Sequence, residues 1–190
     1  LLPVIFFYFS RERVESSARQ LSNNFKLIEN RDEIKDKYDE VFGDLTTEEL
    51  ALLNLDEHMW MWSRGVGYHH AGLAPIVKEF VEYLFLNKFI KFLFATETLA
   101  LGINMPAKAI FIDRLHKYDG IKTRPITQSE FLQLSGRAGR RGIDDKGYAF
   151  LSYDRSINKD WYSNLFTLKS SNLNSAFSVS YSSILSLLNI

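Results

Sequence analysis

Val4-Ile-Phe-Phe-Tyr-Phe-Ser-Arg-Glu-Arg-Val14, VIFFYFSRERV, decides the fold class. Val4 to Phe9 is one unbroken apolar run behind Pro3, rich in aromatic and β-branched residues. A strand with one wet face alternates apolar and polar side chains. A strand without that alternation is buried on both faces, which is the habit of parallel sheets. Ser10 then offers a hydroxyl as a helix N-cap. Val14, Ala18 and Leu21 put a single apolar stripe on a helix running to about Asn23. Strand, tight turn and helix open an α/β unit.

The same reading extends along the chain. Residues 31–40 and 46–63 are expected helices, the second capped by Thr46 or Thr47 with Leu50, Leu53 and Met61 facing inward. Val66 to His69 is a short strand, and Pro75 fits the first turn of a helix to about Leu86. Lys91 to Ala95 and Ala109 to Ile112 are further strands. Thr127 starts a helix carrying Phe131, Leu132 and Leu134, and Lys146-Gly147 turns the chain into a last strand, Tyr148 to Ser152. Strands alternating with helices predict an α/β domain over residues 1–155, a parallel sheet covered by helices on both faces. From about Ser156 serine and asparagine become common, and Ser178 to Leu188 has amphipathic helical spacing. Residues 156–190 read as a linker and the start of a second module.

Composition narrows the function classes. The 190 residues carry 23 Lys plus Arg against 23 Asp plus Glu, so no overall basic field attracts a polyanion, and any nucleic-acid contact is local. The chain has no cysteine, which excludes a disulfide scaffold or cysteine-ligated zinc and fits a reducing, cytoplasmic setting. No apolar run reaches the roughly 20 residues that span a bilayer, so no membrane partner is expected. LLPVIFFYFS lacks the basic leader and cleavage site of a signal peptide, and without an initiator Met the chain is expected to be cut from something longer.

In open parallel sheets ligands gather at the carboxyl ends of strands. Four segments leave such ends here: Ser10-Arg11, His69-His-Ala-Gly72, Thr96 to Pro106, and the stretch from Asp113 that leads to Gln133-Leu-Ser-Gly-Arg-Ala-Gly-Arg-Arg-Gly142. In that last stretch Gln133, Arg137 and Arg140 are spaced i, i+4, i+7 on one expected helical face. Gly136 and Gly139 bare the backbone for close approach by a ligand or second domain, and arginine's planar fork suits phosphate oxygens. A solvated basic turn at a helix end is the plain alternative; the glycine spacing and the Gln favour phosphate. In FATETLALGINMP (94–106), Thr96 offers a hydroxyl at a helix start, Gly102 permits close backbone approach, and Asn104 suits a sugar hydroxyl; an ordinary capping loop is the alternative. The His69-His70 pair has no third ligand nearby, so no metal is expected; a satisfied histidine or a nucleic-acid contact remain. Asp56-Glu57-His58 is read as a solvated helix face.

Together these motifs resemble the second RecA-like domain of superfamily-two ATP-dependent helicases, in the Ski-like DExH-box branch that acts on RNA. FFYFSR (6–11), YHHAGLAP (68–75), ATETLALGINMPA (95–107) and QLSGRAGRRG (133–142) match that domain in order and spacing over residues 1–155. LNSAF…YSSILSLL (173–188) resembles the start of the winged-helix region that follows in the family. ATETLALGIN leans toward the bacterial members. The resemblance implies that Arg140 is an arginine finger for ATP, that Arg137 assists, and that Gln133 senses the nucleotide. Gly102 and Asn104 would face the nucleotide, while Arg11, His70, Gly72 and Thr96 would hold a single-stranded RNA backbone. ATP and its Mg²⁺ would be held by the first RecA-like domain of the same polypeptide, because neither GxxxxGK[ST] nor a DExH sequence occurs in these residues. This chain alone is therefore expected to be inactive. The alternatives are the same half of a DNA helicase, or a non-catalytic nucleic-acid-binding module that keeps the fold.

Overall fold

A computed structural model describes residues 1–24, 31–102, 105–153 and 157–166. In chain order the elements are β1 (Val4–Phe7), α1 (Arg11–Asn24), α2 (Arg31–Phe42), α3 (Thr47–Leu52), α4 (Leu55–Trp62), β2 (Val66–His69), α5 (Pro75–Leu86), β3 (Phe92–Ala95), α6 (Thr98–Gly102), β4 (Ala109–Ile112), β5 (His116–Tyr118), β6 (Thr123–Pro125), α7 (Gln128–Ser135), β7 (Tyr148–Leu151) and α8 (Lys159–Phe166).

The main sheet has the order β2-β3-β1-β4-β7, and every pairing in it is parallel. The apolar run that opens the chain is its middle strand: Ile5 and Phe7 are wholly buried on one face, with Leu93, Ala95, Ile110 and Ile112 beside them. That face packs on Val77, Phe80, Val81 and Leu84 of α5, Trp62 of α4, and Phe131 and Leu134 of α7. On the opposite face Phe6 and Phe94 stack at 4.8 Å, and Val14 and Ala18 of α1 close over them together with Met61 of α4. This is the helix-covered parallel α/β arrangement of a RecA-like domain.

Coverage of the second face is uneven. Helix α1 lies over β2 and β3. On the β7 side Tyr148 and Phe150 stack on each other and remain 41% and 44% exposed, and β7 is the end strand of the sheet.

Two local readings change. The helix expected over 46–63 is two helices, because Asn54 adopts a left-handed backbone (φ 51°) between them. Residues 116–125, unassigned from sequence, form the antiparallel β5–β6 hairpin. Its turn is an Asx turn in which the Asp119 carboxylate accepts from the N–H groups of Ile121 and Lys122 at 3.0 and 2.9 Å. Residues just past 155 are built into the same core: Ile157 and Leu165 join the main cluster, and Phe166 meets Phe131 edge-on at 5.5 Å. The expected helix at 178–188 lies outside the described residues. Among the described residues no helix is long and apolar enough to cross a membrane.

Candidate functional site

Three of the expected backbone-holding residues converge at the carboxyl end of β2. The Gly72 N–H donates to His70 Nδ1 at 3.1 Å, so Nε2 carries the ring hydrogen and donates it to Glu15 at 3.0 Å. Burial lowers the His70 pKa against the opposing pull of Glu15, which keeps the ring neutral. Both ring nitrogens are thus used inside the protein, and His70 is 4% exposed. A Cβ at Gly72 would stand 3.1 Å from both His70 Nδ1 and Arg11 Nη1. The Arg11 side chain thus lies close against this loop. His69 bonds Glu82 at 2.9 Å. On the neighbouring strand end, the Thr96 N–H donates to the His69 carbonyl at 3.2 Å, and the Thr96 and Thr98 hydroxyls share a hydrogen bond of 2.9 Å. Among the described residues no three His, Asp or Glu side chains are grouped to hold a metal ion.

The arginines lie elsewhere. Helix α7 begins with a capping box, in which Thr127 accepts from the Glu130 N–H at 3.2 Å and Glu130 accepts from the Thr127 N–H at 2.7 Å. It stops at Gly136. Gly139 takes a left-handed backbone (φ 91°), and the chain then pairs alongside Ala107, which donates to the Arg137 carbonyl at 2.9 Å and accepts from the Gly139 N–H at 2.7 Å. Ala107 precedes β4, so this segment sits at the amino ends of the strands, opposite Arg11, His70, Gly72 and Thr96. One expectation is corrected: Gln133, Arg137 and Arg140 do not share one helical face, because the helix ends between them. The chain's own backbone packs against Gly139, since a Cβ on Gly147 would collide with the Ala138 carbonyl, and Gly136 and Gly139 also line an open cleft with Arg140.

Helix α6 joins the two regions. It begins just past Thr96 and ends at Gly102, and the Arg137 guanidinium donates to the carbonyl of Ala100 within it. Asn104 lies outside the described residues. Gln133 borders a crevice between α6 and α7 with Glu97, Lys117 and Glu130. Arg140 is clasped by Asp144, Nε to Oδ2 at 2.7 Å and Nη2 to Oδ1 at 2.8 Å. This pairing holds the Asp144 carboxyl well below the usual carboxylate range. The ion pair does not close the approach. Arg140 lines an open cleft of about 400 Å³ with Lys88, Arg141, Phe85 and Pro106. Three cations around one cleft form a donor set suited to phosphate oxygens.

Several structural residues escaped the sequence reading. Lys117 of β5 bonds Glu97 at 2.6 and 2.8 Å and Glu130 at 3.0 Å, tying the loop after β3 to the head of α7. No local pattern marks such a long-range contact. Asp144 stands four residues beyond Arg140, a spacing that does signal a pair on a helical turn. The Asp56-Glu57-His58 reading is corrected: His58 is 1% exposed and bonds the Tyr68 hydroxyl at 3.2 Å, and Glu57 is paired with Arg19. Of the three, Asp56 alone is a solvated group.

The chain is 42% identical over 192 residues to the exosome RNA helicase MTR4 of Homo sapiens, covering 99% of this chain and 18% of that protein. It is 40% identical over 187 residues to the DExH-box ATP-dependent RNA helicase DExH9 of Arabidopsis thaliana, covering 96% of this chain and 19% of that protein. To the probable helicase HelY of Mycobacterium tuberculosis it is 40% identical over 190 residues, covering 98% and 21%. No protein-family model matches the chain. The chain spans about a fifth of the length of the curated relatives it matches. Similar identities to a human and a mycobacterial protein give the bacterial leaning of ATETLALGIN no support.

Proposed function

We propose that this chain, which is about 40% identical to DExH-box RNA helicases over nearly its whole length, is the second RecA-like half of the motor of an ATP-dependent RNA helicase of the Ski-like branch. In this reading residues 1–155 form the motor half, and 156–190, docked on it through Ile157, Leu165 and Phe166, lead into the next module. The observation that carries it is the cleft at the amino ends of the strands, where Arg140, Arg141 and Lys88 gather. These cations suit the triphosphate of ATP bound by a first RecA-like domain, whose acidic residues would hold Mg²⁺. Arg140 stabilises charge developing on the transferred phosphoryl group, and Arg137, tethered to α6, aligns beside it with Gln133, Gly102 and Asn104 on the nucleotide side. At the carboxyl ends of the strands, Arg11, Gly72 and Thr96 grip phosphates of one RNA strand over a loop braced by the neutral His70. Backbone contacts of this kind carry little sequence preference. RNA is favoured over DNA because the relatives MTR4 and DExH9 are RNA helicases. A cytoplasmic location, where RNA and ATP are both free, belongs to the same reading.

The test is Arg140→Ala in the full-length protein. RNA-stimulated ATP hydrolysis is expected to fall by about 10³-fold, the scale of a lost arginine finger, with RNA affinity changed by less than about twofold because the residue is remote from the strand-binding edge. Unchanged turnover would rule out the finger. Stronger stimulation by single-stranded DNA than by RNA would move the assignment to a DNA helicase. RNA binding without any hydrolysis in the parent protein would favour a module that has lost its motor.

A further inference from the structure

A finger arginine has to bring a fixed charge to one point, yet a free arginine side chain samples many rotamers. The structure contains a device against that freedom. Asp144 takes Nε and Nη2 of Arg140 in a two-bond clasp, at 2.7 and 2.8 Å, which fixes the plane of the guanidinium as well as its place. The same carboxylate accepts from the Arg140 backbone N–H at 3.0 Å, so side chain and main chain of one residue are held by one anchor. The anchor is itself held. The Asp144 N–H donates to the Arg140 carbonyl at 2.9 Å, closing a tight turn in which Gly142 takes the left-handed backbone (φ 76°). Lys108 stands 3.3 Å from the outer Asp144 oxygen and donates to the Lys146 carbonyl at 3.0 Å. The Asp144 side chain is only 5% exposed, and Arg140 19%, so this pair differs from exposed ion pairs that contribute little.

Charge balance points the same way. A lone carboxylate against a finger would cancel the charge that the finger delivers. Here Lys108 approaches the far side of the carboxylate, so two cations flank one anion and a net positive charge remains at the cleft. The clasp uses Nε and Nη2 and leaves Nη1 outside the pair.

We propose that Asp144 is the positioning residue for Arg140, presetting the guanidinium at the cleft before nucleotide arrives, with Lys108 balancing its charge. This rests on the reading of Arg140 as the finger. Asp144 touches no reacting atom in this scheme and acts only through Arg140.

The experiment compares Asp144→Asn, Arg140→Ala and the double variant in the full-length protein, measuring kcat and KM for RNA-stimulated ATP hydrolysis together with RNA affinity. The D144N change keeps the size of the side chain but loses the charge and one of the two acceptors for the fork. Its kcat is expected to fall about 10- to 100-fold, the scale of a misplaced catalytic group, with KM and RNA affinity within about twofold of the parent because neither substrate is bound by Asp144. The double variant is expected to be no slower than R140A within about twofold, since a positioner has nothing left to position. If R140A collapses turnover and D144N leaves it unchanged, the positioning role is lost while the finger stands. If R140A itself leaves turnover unchanged, both fall. A double variant much slower than R140A, or a D144N protein with weakened RNA binding, would make Asp144 a support of the general fold and overturn the proposal; this arm decides the matter even if D144N is partly unfolded.

Discussion

His58 shows how one residue's surroundings set a property of the protein. Its ring lies between Trp62 and Tyr68, with centroids at 5.1 and 4.7 Å, and burial lowers its pKa to about 4. An unfolded chain would release that proton near pH 6.5. The folded state therefore binds fewer protons between about pH 6.5 and pH 4, and stability falls as pH drops through that window. Integrated over the window the effect is about 3 kcal/mol. Burial lowers His69 and His70 as well, which adds in the same direction. Thermal unfolding is expected to show a melting temperature that falls steadily from about pH 7 to about pH 4.5, with a clearly shallower slope in His58→Gln. Equal slopes would mean that the ring is protonated or exposed in the folded state. From sequence His58 reads as solvated, because Asp56 and Glu57 beside it are charged. Its burial follows instead from α4 packing against β2, which brings Tyr68 across the sheet face to it, and no property of the local triplet encodes that.

At the scale of elements, the head of α7 is fixed by two devices of different legibility. The capping box Thr127-x-x-Glu130 is local, and Thr127 is readable as a helix start. The second device is Lys117, 14% exposed, bridging Glu97 before α6 and Glu130 at the start of α7. Burial opposes its charge, but the hydrogen bonds it donates to Glu97 and Glu130 outweigh that and raise its pKa. Lys117→Met would leave two carboxylates facing each other without their shared cation and is expected to cost about 2 kcal/mol by denaturant unfolding. Adding Glu97→Gln removes one of the uncompensated charges and is expected to recover part of the loss. Strictly additive losses would show that the three groups do not act as a unit. The hairpin that presents Lys117 does carry a sequence signal, the Asp119-Gly120 turn between Tyr118 and Ile121, but its strands are too short and too polar to announce themselves. The end of α7 departs from its sequence reading for the complementary reason. The i, i+4, i+7 spacing is sound, but Gly139 is held in a left-handed turn by its packing on Gly147. That partner lies eight residues on, beyond the window in which helical periodicity is judged.

For the whole molecule, the sheet is the most legible feature. Strands such as Val4–Phe7 and Phe92–Ala95 have no polar alternation because each lies between two neighbours with side chains packed above and below, so burial is written into composition alone. The site is half legible. Residue types and loops can be read, but the sequence reading puts every loop on the carboxyl edge, whereas α6 and α7 carry part of the constellation to the other end. The absence of a phosphate loop from these residues gives a direct check: the 190 residues alone are expected to release no phosphate from ATP above the uncatalysed rate, with or without RNA. Turnover that disappears on changing a residue of this chain would refute the two-half architecture.

The rim of the sheet carries a practical consequence. Among the described residues β7 ends the sheet, with its outward amide and carbonyl groups unmatched by another strand, and Tyr148 and Phe150 show their rings on the face beside it. Unmatched backbone next to bare aromatic surface is a template for intermolecular stacking. Purified by itself, this segment would tend to clump as it is concentrated, and a soluble preparation would need a charged residue engineered onto that border or a natural neighbour laid along it.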